Sequence, residues 1–383
     1  MDKLVRILSC TILVLGCFGL ANVCIAGEPI KIGGMFALSG PWANIGTDQR
    51  DSCKFVFDKL NAEGGINGRK IEFIQADTEG DPTKALLAAK RLTEQEKVAA
   101  IIGPVRTGVG MAIKPYIDKA KIPTVMHCGG DVIVDLQPNH WVFKTPPRSS
   151  TAMERIFIYM KEKGIKKIGF MYIQGGFGKD ALRNSKTLAP KYGIDVVGIE
   201  SFGGKDVDMK PQLVSLRSKN PQAILVWAVG PAGPIIGKNM HEMGYKVPHF
   251  QSHGEATNQF IEIGGPAVEG VILPAQKIYV GDELSDSDPQ KALIVQFVKE
   301  YTKTYKQPGA MVSCGIDATN LVVEALRKVG DDRAAIRDTI ENTRNWMGLN
   351  GFYNMSPTDH NGLSLEDMIL MKVENGRFRI IKN

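Results

Sequence analysis

One loop of this sequence carries donors that suit a small anion. Residues 103–108 read Gly-Pro-Val-Arg-Thr-Gly and stand between a buried apolar run, residues 99–102, and a helical pattern. The Thr107 hydroxyl would lie in the first turn of that helix, where unpaired backbone N–H groups favour negative charge. Arg106 could pair with a carboxylate through two parallel hydrogen bonds, or point into solvent. The loop therefore indicates recognition of a carboxylate.

A second loop, residues 127–131, has the same position after the next predicted strand, residues 122–126. Gly129 and Gly130 lack a Cβ, so a ligand can approach their backbone closely. Asp131 is either a polar group of the same site or a cap for the segment that follows. Ligands of open parallel sheets bind beyond the carboxyl ends of the strands, so we expect both loops to face one site.

The elements that position these loops alternate between strand and helix. Strands of the first half are predicted at residues 29–38, 70–75, 99–102 and 122–126, with helices between them. After the Pro-rich crossing at residues 144–148 the alternation starts again and continues to residue 275. This pattern predicts an α/β fold with doubly wound parallel sheets and a ligand cleft between two halves.

The helical stretches predicted at residues 289–305 and 312–329 cannot extend the second half by simple alternation. We expect them to return to the first half, so that more than one crossing joins the lobes. The predicted division places residues 27–144 and 272–354 in lobe I, and residues 145–271 and 355–383 in lobe II.

Composition excludes several classes of protein. The 383 residues are 43% hydrophobic and 23% charged, which is typical of a globular chain. The net charge of +6 is spread along the chain without a Lys/Arg run, so no nucleic-acid partner is predicted. The spacing of Cys53, Cys128 and Cys314 does not suggest a metal site. We interpret Cys128, which lies in the second loop, as a small buried residue, although a reactive thiol is the alternative.

The first 26 residues differ from the rest. Lys3 and Arg6 precede a mostly apolar run that ends in Cys-Ile-Ala. This order predicts a secretory signal peptide at residues 1–26, cleaved after Ala26. A lipid anchor on Cys17 is the weaker alternative. No later segment is apolar for long enough to span a membrane, so we expect a soluble, exported chain.

Several short motifs occur in this sequence, and their order is specific although each motif alone is weak. They are Ile32-Gly33 through Leu38-Ser39-Gly40-Pro41, Ile66-Asn67-Gly68-Arg69, Asp77 with Asp81-Pro82, Ile101-Ile102-Gly103 and Phe177-Gly178. In this order they resemble the type I periplasmic binding proteins of the branched-chain amino acid class, the solute receptors of ABC importers. The resemblance implies two Rossmann-like lobes joined by a three-stranded hinge that closes on a ligand. It also implies a periplasmic monomer without cofactor or catalysis, whose partners are a small-molecule ligand and membrane permease subunits.

The resemblance also implies roles for single residues. Thr107 matches a hydroxyl contact to the ligand carboxylate, and the loop of Gly129, Gly130 and Asp131 matches contacts from the next strand. Phe177 matches an aromatic side chain that closes from the second lobe. Trp42 lies in the first pocket loop, where an aromatic wall is usual.

In receptors for amino acids, acidic residues bind the ammonium group of the ligand, and their counterparts are difficult to identify in this chain. Ser149 stands where one is expected, beside Arg148, for which a hinge salt bridge or a ligand contact is possible. Glu255 lies near the other position and is either a ligand contact or a charge at a helix start. We therefore predict a small carboxylate with an apolar or aromatic body, with a branched-chain amino acid as the alternative.

Enzyme motifs are incomplete in this sequence. Residues 175–180 lack the Gly and the Ser/Thr of a phosphate-binding loop, and residues 250–254 lack the first Gly of a nucleophile elbow. A secreted α/β hydrolase is therefore disfavoured. A ligand-sensing receptor module of the same fold is the stronger alternative, although the expected absence of a membrane-spanning or kinase segment favours a free solute receptor.

Overall fold

The computed structural model describes residues 27–137 and 139–381. The predicted leader, residues 1–26, lies outside these residues. Within the described chain, no helix has both the length and the apolar character needed to cross a bilayer. The chain folds into two lobes, each built on one large β-sheet.

The sheet of the first lobe has five parallel strands in the order β2-β1-β3-β4-β5. Its strands are β1 Ile30–Phe36, β2 Ile71–Asp77, β3 Ala100–Ile102, β4 Thr124–Met126 and β5 Val142–Lys144. The intervening helices are α1 Ala43–Ala62, α2 Pro82–Lys90, α3 Thr107–Ala120 and α4 Val132–Asp135. Asp81 caps α2 by accepting hydrogen bonds from the amides of Thr83 and Lys84, as the Asp-Pro pair predicts.

The sheet of the second lobe has seven strands in the order β14-β13-β10-β9-β8-β6-β7, in which β13 runs antiparallel to both of its neighbours, β10 and β14. Its strands are β6 Lys167–Ile173, β7 Asp195–Phe202, β8 Ala223–Trp227, β9 His249–Gln251, β10 Ile272–Ala275, β13 Ile369–Glu374 and β14 Arg377–Ile380. Its helices are α5 Ser149–Glu162, α6 Gly176–Leu188, α7 Lys210–Arg217, α8 Ala232–Glu242 and α9 Asn258–Gly264. The predicted α/β fold with parallel sheets in two lobes is confirmed.

The later helices return to the first lobe. The remaining elements are α10 Lys291–Tyr301, α11 Ala310–Val329, α12 Arg333–Glu341 and the short pair β11 Trp346–Met347 and β12 Phe352–Tyr353. Leu321, Val322 and Leu326 of α11 lie in the same buried core as Ile32 of β1. The amphipathic pattern of α11 is thus explained by packing against the first sheet.

Three segments cross between the lobes, and two crossings differ in position from the prediction. The first follows β5, as predicted. The second follows Ala275 rather than preceding residue 272, because β10 pairs with β9 and β13 in the second sheet. The third comes after residue 354, since Leu363 still lies in the first core whereas Met368 lies in a core of the second lobe.

Candidate functional site

A cavity of about 180 Å³ lies between the two lobes. Strand-end loops of both lobes, the first two crossings and α11 form its wall, which consists mostly of glycines and apolar side chains. Arg106 is the one charged residue among the described residues that line it. The cavity therefore suits a small, largely apolar ligand without a cationic group.

The first turns of two helices meet across this cavity. In the first lobe α3 begins at Thr107, and in the second lobe α6 begins at Gly176; neither has a side-chain cap. A Cβ on Gly176 would lie only 2.9 Å from the amide nitrogen of Gly108. The first N–H groups of a helix lack an intrahelical partner and carry partial positive charge, so the two ends together favour an anion.

Thr107 lines the cavity, whereas Gly130 does not. The Gly130 amide donates to the Thr107 hydroxyl oxygen at 3.1 Å. This bond occupies the amide that we expected to serve a ligand, and it leaves the hydroxyl hydrogen of Thr107 free to be donated. Gly130 thus orients Thr107 rather than meeting the cavity itself.

Trp42 forms part of the wall and reaches from the first lobe to the second. Its ring lies against the second lobe, where a Cβ on Gly230 would be 3.2 Å from it. The Arg106 guanidinium carbon lies 4.5 Å from the centroid of the ring, and Nη1 donates to the carbonyl of Gly80 at 2.7 Å. Arg106 therefore holds the Trp42 ring by a cation–π contact while it lines the cavity, instead of pointing freely into solvent.

Phe177 closes the cavity from the second lobe. Its ring packs on Gly129 of the first lobe, where a Cβ would be 2.9 Å from the ring. The ring also lies edge-on to His253, with centroids 5.6 Å apart, and 6.0 Å from the ring of Trp227. Gly129 and Phe177 both line the cavity, and the fully buried Trp227 supports Phe177 from the core behind it.

Asp131, expected either to face the ligand or to cap the segment that follows it, does not line the cavity. Its carboxylate accepts hydrogen bonds from the amides of Ser149 and Ser150, at 2.6 and 2.9 Å, and from Asn184 Nδ2 at 2.9 Å. Asp131 therefore caps the start of α5 and ties a loop of the first lobe to two helices of the second. The alternative prediction was a cap for the segment that directly follows Asp131, but α4 has no side-chain cap. Its carboxylate lies outside the cavity wall.

Glu255 is also absent from the cavity wall. Its side chain is buried and packs on Gly233, where a Cβ would stand 2.4 Å from the carboxyl carbon. Its Oε1 has no hydrogen-bond partner among the described residues, and burial raises the pKa of the carboxyl well above its usual range. Glu255 is thus a buried carboxyl beside the start of α8 and does not line the cavity.

Apart from the exposed Gln174, three further polar residues of the cavity wall, all of them buried, were missed by sequence reasoning. His127 follows β4, His253 follows β9 and Gln276 follows β10 directly. Burial lowers the pKa of both histidines to about 3, so each ring is neutral. His127 belongs to a loop that the strand-end argument singled out, and the same argument applied to β9 and β10 would have found the other two.

Lys144 holds the second loop, residues 127–131, in place. This fully buried side chain donates from Nζ to the carbonyls of Gly129, at 2.8 Å, and Pro147, at 3.2 Å. Arg148 forms ion pairs with Asp135 and Asp359, so the hinge salt bridge was the correct alternative for that residue.

The cysteines of the described chain are all buried and unpaired in disulfides. Cys128 donates to the carbonyl of Pro104, and burial raises the pKa of its thiol to about 12, which fits a small buried residue rather than a reactive thiol. Within the described residues, no group of three or more His, Cys, Asp or Glu side chains could hold a metal ion.

Residues 29–377 match a family model described as periplasmic binding protein. The chain belongs to this family. The match extends over both lobes and all three crossings, so the periplasmic binding protein fold accounts for the whole arrangement around the cavity.

Several known proteins are similar to this periplasmic binding protein in sequence or in structure. The Leu/Ile/Val-binding protein homolog 7 of Brucella melitensis biotype 1 is 24% identical over 94% of this chain and 92% of its own. An extracellular ligand-binding receptor from Rhodopseudomonas palustris HaA2 is 28% identical, with a TM-score of 0.85 over 92% of this chain and 99% of its own. A solute-binding protein of an ABC transporter from Rhodopseudomonas palustris BisB5, solved with 3,4-dihydroxy benzoic acid, is 23% identical, with a TM-score of 0.78 over 92% of this chain and 96% of its own.

Proposed function

We propose that this periplasmic binding protein is the solute receptor of an ABC importer and that its ligand is a small carboxylate with an apolar or aromatic body. The observation that carries the proposal is the cavity between the lobes, which has two uncapped helix starts, a mostly apolar wall and, among the described residues, no acidic side chain. The ligand carboxylate would accept hydrogen bonds from the first-turn amides and from the Thr107 hydroxyl. Its body would lie between Trp42 and Phe177, whose rings offer large flat apolar surfaces.

The absence of an acid from the wall argues against an α-amino acid. A buried ammonium without a counter-charge costs several kcal/mol, and Asp131 is already occupied by three donors. The R. palustris BisB5 neighbour supports the proposal at the level of the fold, since the same fold holds an aromatic carboxylate there.

A branched-chain amino acid is the second candidate. Glu255 directly follows His253 and Gly254, which both line the cavity. A change in its rotamer could bring the carboxyl to a ligand ammonium. The name of the Brucella relative, a Leu/Ile/Val-binding protein homolog, favours the same ligand class.

The receptor acts by closing on its ligand, without making or breaking a bond. Contacts across the cleft support this mode, because Trp42 packs on the second lobe and Gly176 touches the backbone of α3. A ligand that binds groups on both lobes favours the closed form by its differential affinity for that form. The closed receptor would then deliver the ligand to permease subunits in the membrane. Residues 1–26 would direct the chain to the periplasm as a cleaved signal peptide.

Calorimetry with matched acids tests the ligand class. Leucine and phenylalanine are compared with 4-methylpentanoic and 3-phenylpropanoic acids, which lack only the amino group. We expect the acids without an amino group to bind at least tenfold more tightly, and the Glu255→Gln variant to bind them as the wild type does. Tighter binding of the amino acids, lost in Glu255→Gln, would overturn the proposal and establish the second candidate.

A further inference from the structure

Helix α6 of the second lobe has one polar face. Gly176, Asp180 and Asn184 follow each other at intervals of four residues, so they share one face of the helix, and Arg183 lies beside Asn184 on that face. Ala181 belongs instead to a hydrophobic core of the second lobe. The helix therefore packs on its own lobe with one face and leaves a separate polar face for another partner.

That partner is the first lobe. Asp180 Oδ2 accepts a hydrogen bond from the backbone amide of Asp131 at 2.8 Å, and Asn184 Nδ2 donates to the Asp131 carboxylate at 2.9 Å. These three residues are each 7% exposed or less, and none of them lines the cavity. Arg183 Nη2 lies 2.8 Å from Asp180 and 3.8 Å from Asp135 of α4. The polar face of α6 thus joins the two lobes outside the ligand cavity.

Separation of the lobes must break these bonds, because α6 moves with the second sheet whereas Asp131 and α4 move with the first. In an open form, water can reach both Asp180 and the amide of Asp131. In the closed form this amide is buried and has Asp180 as its acceptor. A buried N–H group without an acceptor is costly, so Asp180 favours closure by satisfying it.

The oxygen atom of Asp180 matters more here than its negative charge. Burial and the neighbouring Asp131 carboxylate raise the pKa of Asp180 to about 6, so a charge at this position is disfavoured in the closed form. The Arg183 side chain that pairs with it is 46% exposed and offsets little of that cost. A neutral side chain of the same shape that offers an oxygen can therefore replace Asp180.

The second loop connects this contact with the ligand site. Its Gly130 amide donates to the hydroxyl oxygen of Thr107, which lines the cavity, and its next amide, that of Asp131, donates to Asp180. Successive amides of one loop thus serve the cavity and α6. A ligand held by Thr107 and a second lobe held by Asp131 both depend on the same position of this loop.

We propose that Asp180 and Asn184 form an interlobe latch, which binds Asp131 and stabilises the closed receptor whatever ligand occupies the cavity. The inference rests on closure as the mode of action in the proposed function and deepens it. Because the latch does not contact the ligand, it raises the affinity for every ligand by the same factor and leaves the ratios between ligands unchanged. It also slows release, since its bonds must break before the lobes separate.

Calorimetry with four probes tests the latch: 3-phenylpropanoic acid, 4-methylpentanoic acid, phenylalanine and leucine. Asp180→Ala removes the acceptor, and every probe that binds the wild type should bind it about 5- to 150-fold more weakly. The factor should be the same for all of these probes to within about twofold. Asp180→Asn keeps an oxygen at the same place and should bind at least as tightly as the wild type.

Asp332→Ala provides a matched control. The Asp332 carboxylate accepts a hydrogen bond from the amide of Ala335 at 2.7 Å, and both residues belong to the first lobe. The same substitution thus removes the same kind of bond without affecting contact between the lobes. This variant should lose stability in urea and keep the wild-type affinity for each probe.

The outcomes separate the latch from the proposed function. Wild-type affinity in Asp180→Ala would overturn the latch and leave the receptor standing, as would a loss that differs widely between probes or that Asp180→Asn shares. If small-angle scattering shows no decrease in the radius of gyration when a probe binds the wild type, closure fails and the latch fails with it. If no probe binds the wild type, the ligand class fails, and scattering without ligand decides on the latch. A larger radius for Asp180→Ala than for Asp180→Asn would then support it, and equal radii would overturn it.

Discussion

Replacing Gly176 by Ala tests whether close approach of the lobes is needed for ligand binding. The new Cβ would lie 2.9 Å from the amide nitrogen of Gly108 and 3.1 Å from its Cα. Both are backbone atoms, which cannot rotate away. Non-bonded carbon contacts are favourable near 3.5–4.0 Å, so the two helix starts must separate by roughly 0.5–1 Å.

The expected loss of affinity depends on which form of the protein the overpacking destabilises. Overpacking a tight contact costs about 1–3 kcal/mol. The open form does not make this contact, so the whole cost opposes closure and weakens ligand binding by about 5- to 150-fold. The φ of Gly176 lies outside the left-handed region, so Ala fits the local backbone, and it lowers the entropy of the unfolded chain. The ligand-free protein should therefore be as stable as the wild type or slightly more stable.

Calorimetry gives the affinity, urea unfolding gives the stability of the free protein, and small-angle scattering gives the radius of gyration with and without a bound acid. Gly178→Ala is the matched comparison, because its Cβ would stand 1.8 Å from the carbonyl oxygen of Ile173 in the same lobe. That variant should lose stability without ligand. Unchanged affinity in Gly176→Ala, together with a wild-type decrease in radius on binding, would refute the reasoning.

Three further predictions concern the cap of α5, a buried acid and the leader. Asp131→Ala should lower the free energy of unfolding in urea by about 1–2 kcal/mol, because the amides of Ser149 and Ser150 lose their cap, and Asp131→Asn should lose less. Burial raises the pKa of Asp317 to about 7 from 3.8, so its contribution to stability is complete below pH 3.8 and is lost as pH rises through 7. Urea unfolding at pH 5, 6 and 7 should show this decline, at most about 1.4 kcal/mol per pH unit, and Asp317→Asn should remove it. Mass spectrometry of the exported protein should find Gly27 at its N-terminus, whereas a diacylated Cys17 would contradict signal-peptide cleavage after Ala26.

Several residues predicted for the site lie on one cavity because the ends of strands can be recognised in the sequence. An apolar run followed by Gly and hydroxyl residues marks the carboxyl end of a parallel strand, and these ends share one edge of the sheet. Thr107, Gly129 and Phe177 lie on the cavity for this reason, and Trp42 lies there because it follows β1.

The direction of a side chain depends on its neighbours in space, and the sequence alone does not show which residues these are. Asp131 turns toward the start of α5 because two backbone amides there need hydrogen-bond acceptors. Glu255 turns toward the start of α8 because Gly233 has no Cβ and leaves room for its carboxyl group. Gln276 reaches the cavity from a crossing whose position depends on the pairing of β10 with β13, about a hundred residues later in the chain. Propensity and spacing contain no information about that pairing.

The three crossings have a consequence for how this chain is made. A ribosome releases the strands of the first sheet long before it releases α11, whose Leu321, Val322 and Leu326 cover β1. The second sheet is completed later still, because β13 and β14 follow α11 in the chain. The core that contains Ile32 is therefore incomplete until α11 has been made, whereas the core that contains Met35 and Val142 needs no residue after β5. For the exported receptor proposed above this order is favourable, because the segments that complete these cores are made after most of each lobe.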